Sequence, residues 1–392
     1  MSENVENFAT VLAICRTAMR SPNPTLIRNI GKLCDALAKQ GHGDQAESLS
    51  LVLATKKATD SLAPTRVVLA AASVERMTRS VQAPVDKESG APLASVVFPG
   101  EGEKGLEPIL DAPLSKAIEA LVAEWQSAAM LIKAGIRPPL NLLLYGAPGT
   151  GKTALAKVIA EQMELPLVTA RLDGLISSFL GTTARNIANL FEFANRYDCI
   201  LLLDEFDAVA KVRDDPHELG EIKRVVNTLL QCLDDRRERG FTIAITNHEH
   251  LLDAAIWRRF DSRVEIPRPG AQSRVRMVAR FLSGVPVEEV DIDFLAWLTD
   301  GRSGAEIETL CNSIKRYLVM NGTGRKSLLD ALRVNALLSA DHSDSPRQAI
   351  FADDSEKLAR RLSSDEEIRF TQESLARLFN TTQSTISRWT RK

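Results

Sequence analysis

The chain has 392 residues, of which 44% are hydrophobic and 26% are charged, a composition typical of soluble globular proteins with two to four domains. Its 49 basic and 51 acidic residues nearly balance, which excludes a global field that would draw the chain to nucleic acid or to an anionic membrane. Five scattered cysteines without a C-x-x-C pair argue against a disulfide framework or a zinc site. Because no basic leader and no apolar run of about 20 residues is present, we expect a cytoplasmic protein with no membrane contact.

The first 108 residues predict helices and then a linker. Apolar positions in residues 1–80, such as Leu26, Ile30 and Leu33, recur at helical spacing, which indicates an all-α hairpin or small bundle. Residues 81–108 contain repeated Pro and Gly among charged side chains, a composition that neither packs a core nor holds a helix. We therefore expect a linker there.

An alternating pattern begins after the linker. Between residues 109 and 268, helical patterns alternate with short β-rich runs, which predicts an α/β fold with a parallel sheet covered by helices. Residues 269–342 are purely helical, and residues 343–392 form a last all-α unit after a break rich in Asp and Ser. The β-rich runs are Leu140–Tyr145, Leu165–Ala170, Cys199–Leu203 and Thr242–Thr246.

A glycine-rich motif follows the first β-rich run and opens a predicted helix, Ala154–Met163. Its G-x-x-x-x-G-K-[ST] spacing lies in the strand–loop–helix context of a phosphate-binding loop, and the alternative is a plain glycine-rich turn. In such a loop, backbone N–H groups surround phosphate oxygens, Lys152 reaches the β- and γ-phosphates of ATP, and Thr153 offers a hydroxyl to Mg²⁺. The motif comprises Gly146, Ala147, Pro148, Gly149, Thr150, Gly151, Lys152 and Thr153, with Ala154 directly after it.

Two carboxylates follow a later buried run. Asp204 and Glu205 come directly after Cys199–Leu203, at the edge where open α/β sheets bind ligands. We expect Asp204 to hold Mg²⁺ through water and Glu205 to polarise the attacking water, since phosphoryl transfer needs mainly positioning and charge stabilisation. A strand that ends in Asp-Glu is weak evidence alone, and the phosphate-binding loop upstream strengthens it.

Three polar residues after the fourth run extend the candidate site. Asn247 ends the run and is expected either to orient the water and sense the γ-phosphate or simply to form a turn. Arg258 and Arg259 are adjacent, and an arginine can stabilise transition-state charge across a subunit boundary. A solvated basic pair is the alternative.

With these motifs in this order, residues 127–312 resemble the central clade of AAA ATPases, which includes proteasomal ATPases, membrane-bound AAA proteases and microtubule-severing enzymes. The resemblance extends to residues 134–139 before the first core strand, to residues 221–230 after the carboxylates, and to residues 303–307 in the helical segment. It implies a P-loop AAA module in which a helical lid covers the α/β part.

The resemblance also implies roles for individual residues and a hexameric ring. Asn247 would be the first sensor, and Gly304 and Ala305 would lie against the adenine and ribose. Arg258 and Arg259 would be fingers acting in trans, but the family's Pro-Gly between its arginines is missing, so which one is the finger stays open. The adenine contacts also stay open, because the family's Asp-Val-Gly-Gly stretch is missing around residues 110–120.

A short segment, Phe179-Leu180-Gly181, occupies the position of the family's pore loop. In the family, an aromatic ring from each subunit grips an extended polypeptide in the central channel, so the resemblance implies a protein client. The alternative is that Phe179 packs against its own helix. Residues 211–218 are a candidate second pore loop.

Further partners are suggested by resemblance only. Residues 175–186 look like bacterial AAA ATPases often encoded beside a subtilisin-type serine peptidase, which implies a separate peptidase partner. The chain itself has neither an H-E-x-x-H motif nor a nucleophile elbow. The amino-terminal helices stand where AAA proteins carry substrate-binding or partner-binding modules, and a structural cap on the ring is the alternative.

The carboxy-terminal residues 371–389 resemble a helix-turn-helix of the phage-repressor type. Asn380 tolerates the left-handed turn between the two helices, and the apolar residues are spaced for a core. The second helix would present polar side chains to a DNA major groove, although such units also bind proteins. The possible DNA contacts are Gln383, Ser384, Thr385 and Arg388.

Two functions follow from the sequence. The first is a ring ATPase that threads or remodels a protein client. The second is a DNA-bound regulatory or defence ATPase whose nucleotide state switches assembly. A third, a nucleotide-gated scaffold without turnover, is disfavoured because binding alone needs neither Glu205 nor the arginines.

Overall fold

The structure is a computed structural model. It divides the protein into two compact units, residues 1–69 and residues 70–392. In the first unit, Ile30 and Leu37 are helical and buried, and nearly all the rest of the predicted amino-terminal helices lies outside the described residues. In the described part of the chain, no helix is long and apolar enough to cross a membrane. The structure describes residues 75–101, 107–171, 175, 180–207, 219–237, 240–322, 325–338 and 355–391, together with positions 30, 31, 33, 34, 37, 42 and 45.

Eight strands are found in the described part of the second unit: β1 (Glu75–Arg76), β2 (Ala94–Val97), β3 (Asn141–Tyr145), β4 (Leu167–Ala170), β5 (Tyr197–Asp198), β6 (Ile200–Leu203), β7 (Phe241–Thr246) and β8 (Ser262–Glu265). Six of them form one sheet in the order β2-β4-β6-β7-β3-β8, and β1 pairs separately with β5. All neighbouring pairs in the large sheet are parallel except β2 with β4. The four predicted β-rich runs are confirmed as strands.

Helices cover both faces of the large sheet, which explains why its central strands are almost entirely buried. One face packs against Trp125 and Ile159, and the other packs against Phe191 and Leu229. The predicted α/β fold of the P-loop type is therefore confirmed. The helices are α1 (Ala112–Gln126), α2 (Ala128–Lys133), α3 (Lys152–Gln162), α4 (Leu180–Arg196), α5 (Leu219–Arg236) and α6 (Ala254–Trp257).

The linker prediction for residues 81–108 is wrong for its central part. Residues 94–97 form β2, which adds an antiparallel edge strand to β4, and Leu93 is fully buried in the core. The Pro and Gly residues form the turn between Val85 and Pro92, so they shape the approach to a strand. Residues 75–76, which fall in the predicted helical segment, form β1.

Four helices that follow the sheet form the lid predicted for residues 269–342: α7 (Ala271–Phe281), α8 (Glu289–Leu298), α9 (Gly304–Asn321) and α10 (Arg325–Leu338). Helix α9 begins with a capping box, in which the side chains of Ser303 and Glu306 each accept a hydrogen bond from the other's backbone N–H group. Helix α8 is apolar on more than one side, since it buries Val290, Phe294 and Trp297. A helix that is apolar all round must be covered on both faces.

The second cover of α8 comes from the last three helices, α11 (Ser355–Ser363), α12 (Gln372–Leu378) and α13 (Gln383–Thr390). Leu375 and Ile386 belong to the same hydrophobic core as Phe294, and α12 packs on α8. The indole N–H group of Trp297 donates a hydrogen bond to Asp365 at 2.8 Å. The sequence predicts a separate unit for residues 343–392. This prediction is wrong for residues 355–391, because they complete the core of the lid.

Because the lid and the last three helices share one core, we expect a change in that core to destabilise both. Replacing the fully buried Leu375 by Ala should cost about 2–5 kcal/mol and loosen α8 together with α12. Amide hydrogen exchange should become faster in both helices but not in β3. The control is Arg377→Ala, which removes an exposed ion pair with Glu373 and should cost less than about 1 kcal/mol. Faster exchange confined to residues 355–391 would contradict a common core.

Candidate nucleotide site

The carboxyl ends of β3, β6 and β7 meet at one edge of the sheet, where open α/β folds bind ligands. They enclose a cavity of about 220 Å³. All the lining residues except Ile245 belong to the site predicted from the sequence. They are Pro148, Gly149, Gly151, Lys152, Thr153, Ala154, Asp204, Glu205, Ile245 and Asn247.

Two glycines of the loop lie where no side chain fits. Gly146 has φ +134°, and a Cβ atom there would lie 2.5 Å from the carbonyl oxygen of Ile266. Gly149 has φ +75°, and a Cβ atom there would lie 2.8 Å from Oγ of Ser303 on the lid. Because glycine alone tolerates both the left-handed backbone and the close approach, the loop can lie tightly between the sheet and the lid.

Helix α3 begins at the floor of the cavity. Its N-cap is Gly151, which supplies no side-chain cap, so the first N–H groups of the helix remain available to an anion. The first helical residue, Lys152, is buried, and its Nζ donates hydrogen bonds to the carbonyl oxygens of Gly146 at 2.8 Å and Ala147 at 2.7 Å. The loop therefore presents an ammonium group and free N–H groups together.

The buried position of Lys152 disfavours the charged form of its ammonium group. Burial lowers the pKa of Lys152, while the nearby carboxylates of Asp204, Asp207 and Glu249 oppose this effect. An anion in the cavity would compensate the buried ammonium and complete its hydrogen bonds. This arrangement is suited to a phosphate group.

Oxygen ligands for a magnesium ion lie beside the loop. The hydroxyl group of Thr153 donates to a carboxylate oxygen of Asp204 at 2.8 Å, and the backbone N–H of Glu205 donates to the other oxygen at 2.9 Å. Among the described residues, no group of three or more His, Cys, Asp or Glu side chains could hold a metal. One hydroxyl and one carboxylate nevertheless fit Mg²⁺, which usually keeps several waters and binds substrate phosphates.

Glu205 adopts a backbone conformation that is rare for its residue type. Its φ of +49° lies in the left-handed region, and the N–H of the next residue, Phe206, donates to the carbonyl oxygen of Ile245 at 2.8 Å. This hydrogen bond fixes the turn after β6 against β7. The exposed Glu205 carboxylate is thereby directed to the cavity wall, which it shares with Asn247.

Sequence reasoning missed a polar link beside this wall. The hydroxyl of Thr246 donates to Asp207 at 3.0 Å and accepts from the backbone N–H of His248 at 3.0 Å. The link joins the turn after β6 to the end of β7 and so supports Asn247. Its signal in the sequence is slight: a Thr that ends one strand and an Asp three residues after Asp204.

The lid touches the phosphate-binding loop directly. The backbone N–H of Ala305 donates to the carbonyl oxygen of Gly149 at 3.0 Å, and Gly304 lies against the same oxygen. Gly304 and Ala305 thus contact Gly149, which lines the cavity, although neither of the two lines it. This single backbone hydrogen bond connects the first turn of α9 to the loop.

The segment between the linker and α1 lies where lid and loop meet. Pro108 packs beside Gly151, Ile109 is buried in the lid core, and the carboxylate of Asp111 accepts a hydrogen bond from Ser273 of the lid at 2.6 Å. Residues 108–111, which include the start of the stretch without the family's adenine motif, therefore contact both the phosphate-binding loop and the lid.

The two arginines lie at the opposite edge of the sheet from the cavity. The carbonyl oxygen of Arg259 accepts a hydrogen bond from the side chain of Asn141, the first residue of β3, at 3.2 Å. The phosphate-binding loop follows the last residue of β3, about 13 Å further along the strand. The guanidinium of Arg259 pairs with Asp234 at 3.2 Å, whereas Arg258 is exposed and makes no side-chain hydrogen bond to any residue that the structure describes.

The remaining predicted sites are only partly visible. Phe179 and residues 211–218 lie outside the described residues, and of Leu180 and Gly181 only the helical backbone is described. In α13, Gln383, Ser384 and Arg388 are exposed, but Thr385 is half-buried and its side chain is hydrogen-bonded to Thr382 at 2.9 Å.

Removing the buried ammonium should weaken nucleotide binding. Lys152→Ala should lower the affinity for MgATP on the order of 10-fold to 100-fold, because a charge-assisted hydrogen bond to phosphate is lost. Titration with a fluorescent ATP analogue measures the effect. The matched control is Lys157→Ala on the exposed face of α3, and a similar loss in both variants would argue against a specific role for Lys152.

Comparison with known proteins gives the family. Residues 142–268 match the family described as "ATPase family associated with various cellular activities (AAA)". An uncharacterized AAA family ATPase, y4kL, of Sinorhizobium fredii is 42% identical over 216 residues, which span 54% of this chain and 64% of that protein. The chain thus covers less than two thirds of this relative. A proteasome-activating nucleotidase of Methanothermobacter thermautotrophicus is 33% identical over 225 residues, which span 55% of this chain and 55% of that protein.

Other matches are longer, as one example shows. Proteasome-activating nucleotidase 1 of Haloferax volcanii is 30% identical over 310 residues, which span 76% of this chain and 74% of that protein. The crystal structure of the FIGL-1 AAA domain in complex with ADP aligns with a TM-score of 0.51 and 24% identity, covers 68% of this chain and 93% of that structure, and supports the fold. The chain therefore belongs to the AAA family of ATPases.

Proposed function

We propose that the chain is an ATP-hydrolysing motor that works as a ring, hexameric as the family resemblance implies, and remodels or threads a protein client. The observation that carries this proposal is the separation of Arg258 and Arg259 from the cavity of their own chain. If an arginine completes the catalytic site, a second copy must supply it. Relatives named proteasome-activating nucleotidases support work on proteins.

In the proposed reaction, the residues around the cavity position ATP and a water molecule. Lys152 and the N–H groups of the loop hold the phosphates, Thr153 and Asp204 hold Mg²⁺, and Glu205 orients the attacking water together with Asn247. Bound Mg²⁺ supplies charge neutralisation at the phosphate oxygens. Gly304, Ala305 and the segment 107–111 would hold the adenine.

The contacts of the two arginines favour Arg258 as the finger that would enter the cavity of a second copy. Arg259 is engaged with Asp234 and with the carbonyl oxygen of Ala255, which fits a role in fixing the loop. Arg258 is exposed on the same loop. An arginine that reaches transition-state charge is worth about 10³ to 10⁵ in rate.

Threading requires a grip on the client, and the proposed grip is the segment Phe179-Leu180-Gly181. In Phe179→Ala, unfolding of a fluorescent protein with an unstructured tail should be lost while ATPase activity is retained, because the aromatic ring contacts the client and not the nucleotide. Phe179→Tyr keeps the ring and should keep unfolding. If Phe179→Ala unfolds the probe at the normal rate, the threading proposal is wrong.

A separate subtilisin-type peptidase is proposed as a further partner on resemblance alone. The motor would deliver unfolded client to that peptidase. Pull-down from the native host should recover such a peptidase with the full chain, and its absence would remove this partner from the proposal.

DNA binding through a helix-turn-helix is a second candidate function. It is supported by α12 and α13, which meet at Asn380 with φ +51° and are held by buried Leu375 and Ile386. The exposed Gln383, Ser384 and Arg388 on α13 would face a major groove. In this function the nucleotide state would switch assembly on DNA.

The salt dependence of binding tests whether the chain contacts DNA. Binding to a pool of random DNA duplexes should weaken steeply with salt. In Arg388→Ala, the preference for duplexes selected from that pool should fall on the order of 10-fold, since a base contact is worth about 1–3 kcal/mol of discrimination. Arg377→Ala, on the neighbouring helix, is the control and should bind normally. Failure to retard any duplex at low salt would end the DNA function.

A further inference from the structure

Asn141, the first residue of β3, is a polar residue in the core of the sheet. Its exposed fraction is 0%. The three residues that follow it, Leu142–Leu144, are apolar and equally buried, as expected of a central strand that helices cover on both faces. A fully buried polar residue in such a strand is informative, because hydrophobic burial does not account for it.

The stability of the sheet does not explain the amide group of Asn141. Its Oδ1 atom is buried and makes no hydrogen bond to any residue that the structure describes. Thr242, which pairs in register with Asn141 on β7, has a buried Oγ1 atom that likewise bonds to no described residue. Burying a polar atom without a hydrogen-bond partner costs free energy, and an aliphatic side chain at either position would avoid this cost. The reason for Asn141 must therefore lie with its Nδ2 atom.

Asn141 contacts the segment that carries the two arginines, residues 258–261, which we call the arginine loop. Nδ2 of Asn141 donates a hydrogen bond to the carbonyl oxygen of Arg259 at 3.2 Å. The backbone carbonyl oxygen of Asn141 accepts a hydrogen bond from the N–H group of Asp261 at 3.1 Å. Between these two contacts, Phe260 is buried in the core beside the sheet. Asn141 thus fixes the arginine loop on both sides of Phe260.

Arg258 lies directly before this anchored part of the loop. Its backbone N–H group donates to the carbonyl oxygen of Ala254 in α6 at 3.2 Å, and the next residue, Arg259, is held by Asn141. The backbone of Arg258 is therefore fixed on both sides, while its exposed side chain makes no hydrogen bond within the part of the chain that the structure describes. A fixed backbone and an unengaged guanidinium group suit an arginine that must reach a charge outside its own chain.

We propose that Asn141 is a positioning residue for ATP hydrolysis in a second copy: its amide group holds the arginine loop so that Arg258 is presented to the cavity of that copy. This inference rests on the proposed function, because Asn141 has this role only if Arg258 acts in trans. The length of β3, about 13 Å, separates Asn141 from the phosphate-binding loop of its own chain. Loss of the amide group should therefore affect the cavity of the next copy and not the cavity of the same chain.

Steady-state kinetics of matched variants test this role. Asn141→Val and Asn141→Ala both remove the donor to Arg259, and each should lower kcat on the order of 10-fold to 100-fold, since a misplacement of about 1 Å can cost about 10²-fold. KM for ATP and the affinity for a fluorescent ATP analogue should stay close to the wild-type values, because the lost hydrogen bond leads to the arginine loop and not to the cavity. The control is Thr242→Val, which removes a buried hydroxyl group that bonds to no described residue and should keep the wild-type kcat.

Mixed rings show in which copy Asn141 acts. In a mixture of Lys152→Ala and Arg258→Ala chains, the first chain supplies Arg258 and the second supplies the intact cavity. Adding Asn141→Val to the Lys152→Ala chain should lower the regained ATPase activity by the factor that kcat loses in the single variant. Adding Asn141→Val to the Arg258→Ala chain should leave the regained activity unchanged, because that chain supplies no finger. A general weakening of the fold would instead lower the activity in both arrangements.

The outcomes separate this inference from the proposed function. If the starting mixture of Lys152→Ala and Arg258→Ala chains regains no activity although mixed rings form, the shared site is wrong and the positioning role is wrong with it. If the mixture is active and Asn141→Val on the Lys152→Ala chain does not lower that activity, only the positioning role is wrong. A loss that is equal in both arrangements, or that is confined to Asn141→Val on the Arg258→Ala chain, would also overturn the inference, because Asn141 would then act on the fold or on its own cavity.

Discussion

The parallel pairing of β3, β6 and β7 is the constraint on which the rest of the structure depends. Parallel strands deliver their carboxyl ends to one edge, so three turns that are far apart in the sequence meet around one cavity. The phosphate-binding loop, the pair Asp204 and Glu205, and Asn247 are the products of that convergence. The backbone hydrogen bond from Phe206 to Ile245 keeps two of these turns in register.

The same parallel pairing separates the arginines from the cavity. Arg258 and Arg259 precede β8, so they lie at the edge of the sheet where the parallel strands begin. The phosphate-binding loop of the same chain lies at the opposite edge, where the strands end. In the proposed ring, a catalytic site divided in this way would link turnover to assembly, because neither edge would be complete alone. The lid meets the same loop, since the backbone N–H of Ala305 in the first turn of α9 donates to the carbonyl oxygen of Gly149.

The sequence predicts the features that are local and periodic. The strands β3, β6 and β7 and the loop between β3 and α3 follow from apolar runs and from the glycine spacing. The strand β2 could not be predicted, since four residues among prolines and glycines become a strand only because β4 offers a free edge. The fully buried Arg236 was equally hidden, because its partners Asn195, Cys199 and Phe241 converge only in the fold.

The central claim is that each catalytic site is shared between two copies, and mixing two inactive variants tests it most directly. Lys152→Ala weakens ATP binding and removes the ammonium group that would reach the phosphates, but keeps Arg258, whereas Arg258→Ala keeps the nucleotide site but removes the finger. In randomly mixed rings about a quarter of the interfaces combine both intact halves, so ATPase activity should reappear on mixing. A mixture that remains inactive although mixed rings form, or an Arg258→Ala chain with the wild-type rate, would contradict the account.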